Sequence, residues 1–463
     1  MPFMIRPIAP AANLPDTGAL DALAVALPAE TVSAVVADLR VARQRVRKLS
    51  AELTLLLVVA MNLFTADPLH IVLAKLLQGL RFLARNPEEP VATKSAVCQA
   101  RYELGVRPLV ALFHRVCSPM ATPTTPGAFL FGLRLMAIDG TTEDVPDTPE
   151  NARAFGRPST DRGEGAFPQV QGVYLVECGT HAIVDAGFWP YRTSERVGGV
   201  RLLRSVGPGM LLMWDRGFHS FGMAVRTQAR GAHFLGRVPA HVGLEPVKRL
   251  ADGSYLAYLT PSKKERQWRG QRLLVRVIVY TLTDPALPGY GERYRLILSL
   301  LDPAQAPAHE VAVAYHERWE IEVTIDEVDT HQRLVHRPLR SQKPVGVLQE
   351  LYGLLIAHYA VRRVMLDAAA AAGLDPDRIS FANAVRLICM AIPEFHLASP
   401  EQHPALYRRL LNDIARERLP ERKPRSNPRV VKRKMSNFKL KRAQHRHCPQ
   451  PSMSFRDAVV ILN

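Results

Sequence analysis

Cysteine is scarce in this sequence, and no uninterrupted apolar run is long enough to cross a membrane. The five cysteines are odd in number, widely spaced and free of any Cys-x-x-Cys pair, which argues against a disulfide framework and a zinc ribbon. The longest apolar run, residues 53–64, is too short for a bilayer. The first residues carry no signal-peptide pattern, and there is neither a Walker loop nor a G-x-G-x-x-G fingerprint. We therefore expect a soluble cytoplasmic protein with reduced thiols.

Acidic residues are outnumbered. The chain has 60 Lys and Arg against 43 Asp and Glu, which gives a formal net charge of +17. Such an excess favours a polyanionic partner, because neutralising phosphates releases counterions. A solvated basic surface or an anionic membrane would account for the same excess. Otherwise the composition is that of a globular protein, and 463 residues suffice for two to four domains.

The hydrophobic periodicity changes along the chain and predicts five regions. A helical N-terminal domain, expected to bind DNA, covers residues 1–125. Mixed α/β regions follow at 126–238 and 294–372, and a β-rich insertion at 239–293 separates them. A helical C-terminal region with a basic tail covers 373–463.

Two basic segments are candidates for phosphate contacts. Between residues 33 and 49 an apolar stripe alternates with arginines, and the resulting helix would lie along a phosphate backbone or present a solvated face. The tail at 422–446 contains many Lys and Arg residues and no acid, so we expect it to be disordered until it meets nucleic acid. Lys432, Arg433 and Lys434 are its predicted DNA contacts.

Two aspartates follow short apolar runs that are typical of buried strands. Asp139 comes after residues 133–138, and Asp215 comes after 210–214. The carboxyl ends of strands carry the sites of open α/β sheets. A third acid on a nearby helix would complete a set of oxygen ligands for one or two Mg²⁺ ions, which suits phosphoryl displacement. Taken singly, Asp139 before Gly140 could also be a turn former.

A long helix predicted over residues 308–334 carries the candidate third acid. Tyr315, Arg318 or Trp319, and Glu322 share one face of this helix. An aromatic ring, a guanidinium and a carboxylate on one stripe suit a metal ligand beside a phosphate clamp. The helix carries further acids that spacing alone leaves as competitors: Glu317, Glu320, Asp326, Glu327 and Asp329.

Three motifs, taken together, resemble those of a known family. The pattern Y-x-x-R-x-x-x-E begins at Tyr315, I-D-G-T surrounds Asp139, and W-D-R-G surrounds Asp215. In this order, with a β-rich insertion between the second aspartate and the glutamate, they are similar to the motifs of the insertion-sequence-four family of bacterial DDE transposases. The resemblance covers residues 20–366 and implies a ribonuclease-H-like catalytic domain in the two α/β regions.

The resemblance also implies a chemistry and its residues. Asp139, Asp215 and Glu322 would be catalytic and would hold two Mg²⁺ ions, or Mn²⁺, in each active site. Tyr315 and Arg318 would contact phosphates at the transposon ends. The implied activity is cut-and-paste transposition through a hairpin intermediate. The implied partners are the terminal inverted repeats and target DNA, bound by a homodimer near the bacterial nucleoid.

One position of the signature helix departs from the family. The family has a lysine seven residues after the glutamate, whereas this chain has Asp329, which cannot clamp a phosphate and would repel one. Either His331 or Arg333 substitutes for the lysine, or end binding is altered, or this copy is impaired.

A second departure concerns an aromatic residue. Some relatives stack a flipped base on a tryptophan in the strand before the signature helix, and the similar position here is Tyr294, flanked by Arg293 and Arg295. A tyrosine ring can stack a splayed base. The alternative is an ordinary strand aromatic.

Two other functions stay open from sequence. One is a catalytically impaired or domesticated DNA-binding protein that occupies transposon ends, which Asp329 favours. The other is a metal-dependent nuclease that cuts without strand transfer.

Overall fold

The computed structural model describes residues 18–41, 49–77, 92–160, 163–287, 289–333, 338–420, 430–431, 439–443 and 451–462. The predicted DNA contacts Lys432, Arg433 and Lys434 lie outside the described residues. Within these ranges, no helix is both long and apolar enough to span a membrane.

The protein is a mixed α/β structure. In chain order its strands are β1 Phe129–Leu130, β2 Leu133–Asp144, β3 Ser159–Thr160, β4 Gly163–Glu164, β5 Gln169–Glu177, β6 Ala182–Pro190, β7 Met210–Trp214, β8 His233–Arg237, β9 Lys248–Arg249, β10 Tyr255–Leu259, β11 Leu273–Leu282, β12 Tyr294–Leu298, β13 Val430–Val431, β14 Lys439–Leu440 and β15 Val459–Ile461. Its helices are α1 Ala29–Asp38, α2 Ala51–Ala60, α3 Leu69–Leu76, α4 Lys94–Leu104, α5 Arg107–Val116, α6 Pro149–Phe155, α7 Glu195–Leu202, α8 Phe221–Ala229, α9 Ala308–Ala314, α10 Trp319–Asp326, α11 Pro344–Ala372, α12 Phe381–Leu397, α13 His403–Arg416 and α14 Phe455–Ala458.

The chain forms two compact units, and their boundary passes through strand β2 and helix α10. Unit 1 comprises Met1–Pro126, Gly140–Ser194 and Glu322–Leu419. Unit 2 comprises Gly127–Asp139, Glu195–Ile321 and Pro420–Asn463.

Helix α11 is the centre of unit 1. It packs against α2, α5, α12 and α13, and most of its residues are buried. Pro344 fits its first turn, and Gly373 ends it in the left-handed conformation. A Cβ atom at Gly353 would lie 2.6 Å from the Val58 carbonyl oxygen, so glycine is what permits the close approach of α2 and α11. Strand β5 lies between β6 and β2.

Unit 2 contains a twisted run of strands in the order β2-β7-β8-β12-β11-β10-β9. Strands β2, β7 and β8 are parallel, and β7 reads as a continuous apolar run because a parallel strand is covered on both faces. From β8 to β9 the pairing is antiparallel. Strands β9, β10 and β11 of the expected β-rich insertion therefore extend this run of strands.

The segment expected to be one long helix over 308–334 is helical from Ala308 to Gln332, but it departs from α-helical geometry in two places. A 3-10 turn, Tyr315–Arg318, separates α9 from α10, and a π-helical segment, Glu327–Gln332, follows α10. Both irregular segments carry buried polar side chains, which is where such departures from α geometry concentrate.

The basic amphipathic helix expected over residues 33–49 is shorter than predicted. Helix α1 ends at Asp38, and Arg40 beyond it has a positive φ of 51° that no α-helix continues. Residues 42–48, which hold most of the predicted basic face, lie outside the described residues.

Candidate active site

Asp139 and Asp215 follow neighbouring positions of two parallel strands. The ladder between β2 and β7 ends with Ile138 opposite Trp214, so the next residue of each strand is an aspartate. Trp214 is fully buried and stacks on Phe234, with ring centroids 5.3 Å apart. This packing fixes the end of β7 and with it the two carboxylates at one edge of the sheet.

The two aspartates differ in local structure. Strand β2 continues to Asp144, so the interpretation of Asp139 and Gly140 as a turn is wrong. Asp215 does start a turn, because its Oδ1 atom accepts hydrogen bonds from the amides of Gly217 at 2.8 Å and Phe218 at 3.3 Å. These bonds orient the Asp215 carboxylate.

The 3-10 turn Tyr315–Arg318 contacts Trp214 at the end of β7 and Asp139 within β2. The buried Tyr315 hydroxyl donates a hydrogen bond to the Trp214 carbonyl oxygen at 3.1 Å. Burial raises the pKa of this hydroxyl, and the nearby Asp215 raises it further, so it stays a donor. Arg318 lies with Nη1 3.4 Å from Oδ2 of Asp139 and is also buried. In this geometry Tyr315 positions β7, and the predicted phosphate contacts of Tyr315 and Arg318 stay predictions.

Glu322 lies in α10, four residues after Arg318 and directly after the boundary between the units. Its part in the site stays a prediction. Three of its competitors have other surroundings in unit 1. Asp326 is exposed and lies 3.2 Å from His331.

Glu327, the second competitor, is the centre of a buried ionic network. Its carboxylate lies 3.1 Å from Nδ1 of His181, 3.0 Å from Nε2 of His358 and 3.6 Å from Nη1 of Arg362. Burial alone would raise the pKa of Glu327, but Arg362 and His181 hold it well below its usual range. Burial lowers the pKa of His358, so this ring is neutral at pH 7. Glu327 anchors the π-helical segment Glu327–Gln332 within unit 1.

Asp329, the third competitor, is also turned into unit 1. Its Oδ2 accepts a hydrogen bond from Thr141 at 3.3 Å, and Arg333 contacts the neighbouring buried Glu143. Burial, together with a hydrogen bond and repulsion from Glu143, raises the pKa of Asp329 to about 9. The side chain is therefore protonated at neutral pH, and the repulsion of a phosphate expected from an acid at this position is absent.

The other predicted DNA contacts have varied surroundings. The Tyr294 ring stacks on Tyr280, with ring centroids 4.8 Å apart, and its centroid lies 4.2 Å from the Arg237 guanidinium. The ring is therefore packed against side chains of neighbouring strands, as expected of an ordinary strand aromatic. Arg295 donates to the carbonyl oxygens of Pro239 and Val242.

Arg293, next to Tyr294, is exposed. Arg333 contacts Glu143, so its guanidinium is engaged inside unit 1. For all these residues a contact with DNA stays a prediction.

Comparison with known proteins identifies the family. A family model described as "Insertion element 4 transposase N-terminal" matches residues 17–114, and one described as "Transposase DDE domain" matches residues 130–360. The chain is 31% identical to the transposase InsG for insertion sequence element IS4 of Escherichia coli K12, over 88% of this chain and 90% of that protein. The chain belongs to the IS4 family of DDE transposases.

Two weaker likenesses accompany this match. The putative transposase InsZ of Escherichia coli K12 is 29% identical over 35% of this chain and 52% of its own length. A cryo-EM structure of the piggyBac transposase synaptic complex with hairpin DNA covers 85% of this chain and 84% of its own, with 13% identity and a TM-score of 0.43. That score is too low to support a structural conclusion.

Membership of the IS4 family implies a ribonuclease-H-like catalytic domain, a DNA-cutting enzyme and the use of a divalent metal. The observed donors fit such an ion. Asp139 and Asp215 offer hard carboxylate oxygens from adjacent strand positions, which is the ligand type that Mg²⁺ and Mn²⁺ prefer.

Some site residues escape sequence reasoning. His181 and His358 are isolated histidines, separated from Glu327 by 146 and 31 residues, and no spacing rule joins them. The contact between Arg318 and Asp139 spans 179 residues. The one available signal was the number of acids in the signature helix, which exceeds what a three-carboxylate site needs.

We expect Glu327→Gln to destabilise the protein by about 3 kcal/mol, because it removes a buried charge that faces Arg362 and leaves that guanidinium with only the partly exposed Asp377, 3.2 Å away, as its ionic partner. Chemical denaturation of the mutant at pH 7 measures this change. Asp326→Asn, which neutralises the exposed acid next to it, serves as the control and should shift the free energy of unfolding by less than about 0.5 kcal/mol. Equal effects of the two substitutions would contradict the network.

We expect Asp329→Asn to make the protein more stable at pH 8 and to flatten the dependence of stability on pH. The folded protein holds the Asp329 proton up to a pKa of about 9, whereas an aspartate in the unfolded chain loses it near pH 4. Between these values the folded state binds the extra proton, so wild-type stability falls as the pH rises. Melting temperatures from pH 5 to 9 measure the slope, and parallel curves for both proteins would refute the protonated state.

Proposed function

We propose that the protein is a DNA transposase that moves an insertion sequence by cut-and-paste transposition. The observation that carries this proposal is the adjacency of Asp139 and Asp215 at the end of the β2–β7 ladder, with Arg318 at Asp139. The IS4 family membership supports the same activity. The substrates are the terminal inverted repeats of the element and a target DNA.

Asp139, Asp215 and Glu322 are the proposed ligands of two Mg²⁺ ions, with Mn²⁺ as a substitute. When bound, such ions lower the pKa of an attacking water or hydroxyl and stabilise the leaving oxygen of an in-line displacement. The residues around them keep the carboxylates in place. Gly217 and Phe218 orient Asp215, and the Tyr315 hydroxyl holds the strand that ends in it.

Arg318 has two tasks in this proposal. Its guanidinium carries several donors in a rigid fork, so it can contact Asp139 and a DNA phosphate at once. Because the group is buried, it loses little freedom on binding, and its charge acts in a medium of low dielectric constant. The net charge of +17 supplies the long-range attraction for the rest of the DNA.

The proposed reaction has four steps. Water attacks a phosphorus atom at the element's end, and the bond to the 3′ oxygen breaks, which frees a 3′-hydroxyl. That hydroxyl attacks a phosphorus atom of the opposite strand, expels the 3′ oxygen of the flanking DNA and closes a hairpin on the element's end. Water reopens the hairpin and frees the 3′-hydroxyl again. This hydroxyl then attacks a phosphorus atom of target DNA and expels a 3′ oxygen of the target strand. Two ends have to be held together, so a homodimer on DNA is part of the proposal.

A catalytically impaired protein that occupies transposon ends is the alternative. Its main support was Asp329 in place of the family's lysine. The burial and raised pKa of Asp329 remove the expected repulsion of DNA, which supports an active enzyme. A nuclease without strand transfer is the other alternative, and joined products distinguish it from a transposase.

We expect Asp139→Asn, Asp215→Asn and Glu322→Gln each to lower the rate of DNA cleavage by roughly a hundredfold or more, because each removes a ligand charge without changing side-chain shape. The assay uses supercoiled DNA that carries the element's ends, in Mg²⁺. Asp326→Asn, in the same helix, is the control and should cut at the wild-type rate. Wild-type cleavage by any of the three variants would remove that residue from the site.

A further inference from the structure

Residues 451–462, which we call the C-terminal strap, follow the basic tail and fold onto unit 2. Strand β15 pairs antiparallel with the end of β11, with Val460 opposite Thr281. Hydrogen bonds close this pairing at both ends, from the Thr283 amide to the Ala458 carbonyl at 3.0 Å and from the Leu462 amide to the Val279 carbonyl at 2.7 Å. The end of the strap is thus a three-residue strand of the unit 2 sheet.

The first residues of the strap are fixed by one carboxylate. Oδ2 of Asp284 accepts hydrogen bonds from the Ser452 amide at 2.6 Å, the Ser452 hydroxyl at 3.0 Å and the Met453 amide at 3.2 Å. Three donors on one oxygen define where the strap begins, directly after β11. Both ends of the strap are therefore attached to the end of β11 and the residues directly after it.

Between these attachments, helix α14 contacts α9 and the 3-10 turn Tyr315–Arg318. The Arg456 guanidinium binds both carboxylate oxygens of Glu310 in α9, at 2.6 and 2.9 Å, and the Arg456 carbonyl oxygen lies 3.0 Å from Nε2 of His309. The Phe455 ring stacks on His316, with centroids 4.0 Å apart and planes 18° apart. His316 directly follows Tyr315 and precedes Arg318 in the same 3-10 turn.

The relative strengths of these contacts decide which of them positions the turn. Arg456 and Glu310 are 54% and 36% exposed, so water and salt screen their ion pair and it contributes little to the position of the turn. The stack of Phe455 on the exposed His316 ring and the backbone pairing of β15 are not ion pairs, so salt does not screen them. A 3-10 turn has poorer hydrogen bonds than an α-helix and depends more on such outside contacts.

We propose that the C-terminal strap positions the turn that carries Tyr315 and Arg318, with Phe455 as the positioning residue that contacts it. The inference rests on the proposed function of that turn at Asp139 and Asp215. The sequence motifs of residues 308–334 do not predict this contact between the strap and the turn.

Val460→Pro tests the proposal in the full-length protein. Proline removes a backbone donor and weakens a strand from within, while the Val460 side chain is 42% exposed and fills no core. Val460→Thr is the matched control, since threonine keeps the β-branch and the backbone N–H. The readouts are cleavage rate at saturating DNA, DNA affinity, and hydrogen exchange of the amides in residues 309–321.

The proline variant should show faster exchange in residues 309–321 and cleavage slower by about tenfold, since a displaced catalytic group costs at least this much. Its DNA affinity should stay within about twofold of wild type, and the threonine variant should match wild type in all readouts. Unchanged exchange and cleavage in the proline variant would overturn the proposal.

Phe455→Ala covers the case in which the proline variant fails to fold. It removes only the ring on His316, and it should accelerate exchange in the 3-10 turn and slow cleavage in the same direction. Wild-type exchange in this variant would overturn the proposal. A wild-type protein that does not cut DNA would refute the proposed function instead, and the exchange comparison would still decide on the strap.

Discussion

The site depends on the parallel pairing of β2 with β7. Because the ladder ends with Ile138 opposite Trp214, a shift by a single residue would turn one of the two aspartates to the other face of the sheet. Burial of Trp214 against Phe234 fixes this register. The Tyr315 hydroxyl binds the carbonyl oxygen of the same tryptophan, so the helix that follows is set by the strand end as well.

The acidic residues between positions 308 and 332 lie in different environments. Glu327 is buried and ionised because Arg362 and two histidines surround it, whereas the partly buried Asp329 beside Glu143 has a raised pKa and holds a proton. Both thereby lose the ability to bind a cation or to repel DNA at neutral pH. A segment dense in carboxylates can in this way present fewer of them to a substrate. The choice of Glu322 over Glu317 and Glu320 rests on the family motif that begins at Tyr315 and stays a prediction.

Sequence reasoning succeeded where a local pattern has one physical cause. Buried parallel strands are apolar throughout, so the run before Asp215 predicted β7, and the motif order predicted the IS4 family, which is confirmed. It failed for residues 139–144, which continue β2 although they are polar, because pairing with β5 decides there. The surroundings of Asp329 and the strap depend on contacts between distant segments, which periodicity does not encode.

The proposed function requires Glu322 to join Asp139 and Asp215 in one metal site. Backbone cleavage by bound Fe²⁺ tests it most directly, since Fe²⁺ replaces Mg²⁺ at oxygen ligands and, with ascorbate and peroxide, cuts the chain close to the ion. We predict three groups of cuts, near residues 139, 215 and 322, all suppressed by excess Mg²⁺. Cuts near 139 and 215 without any near 322 would contradict the claim.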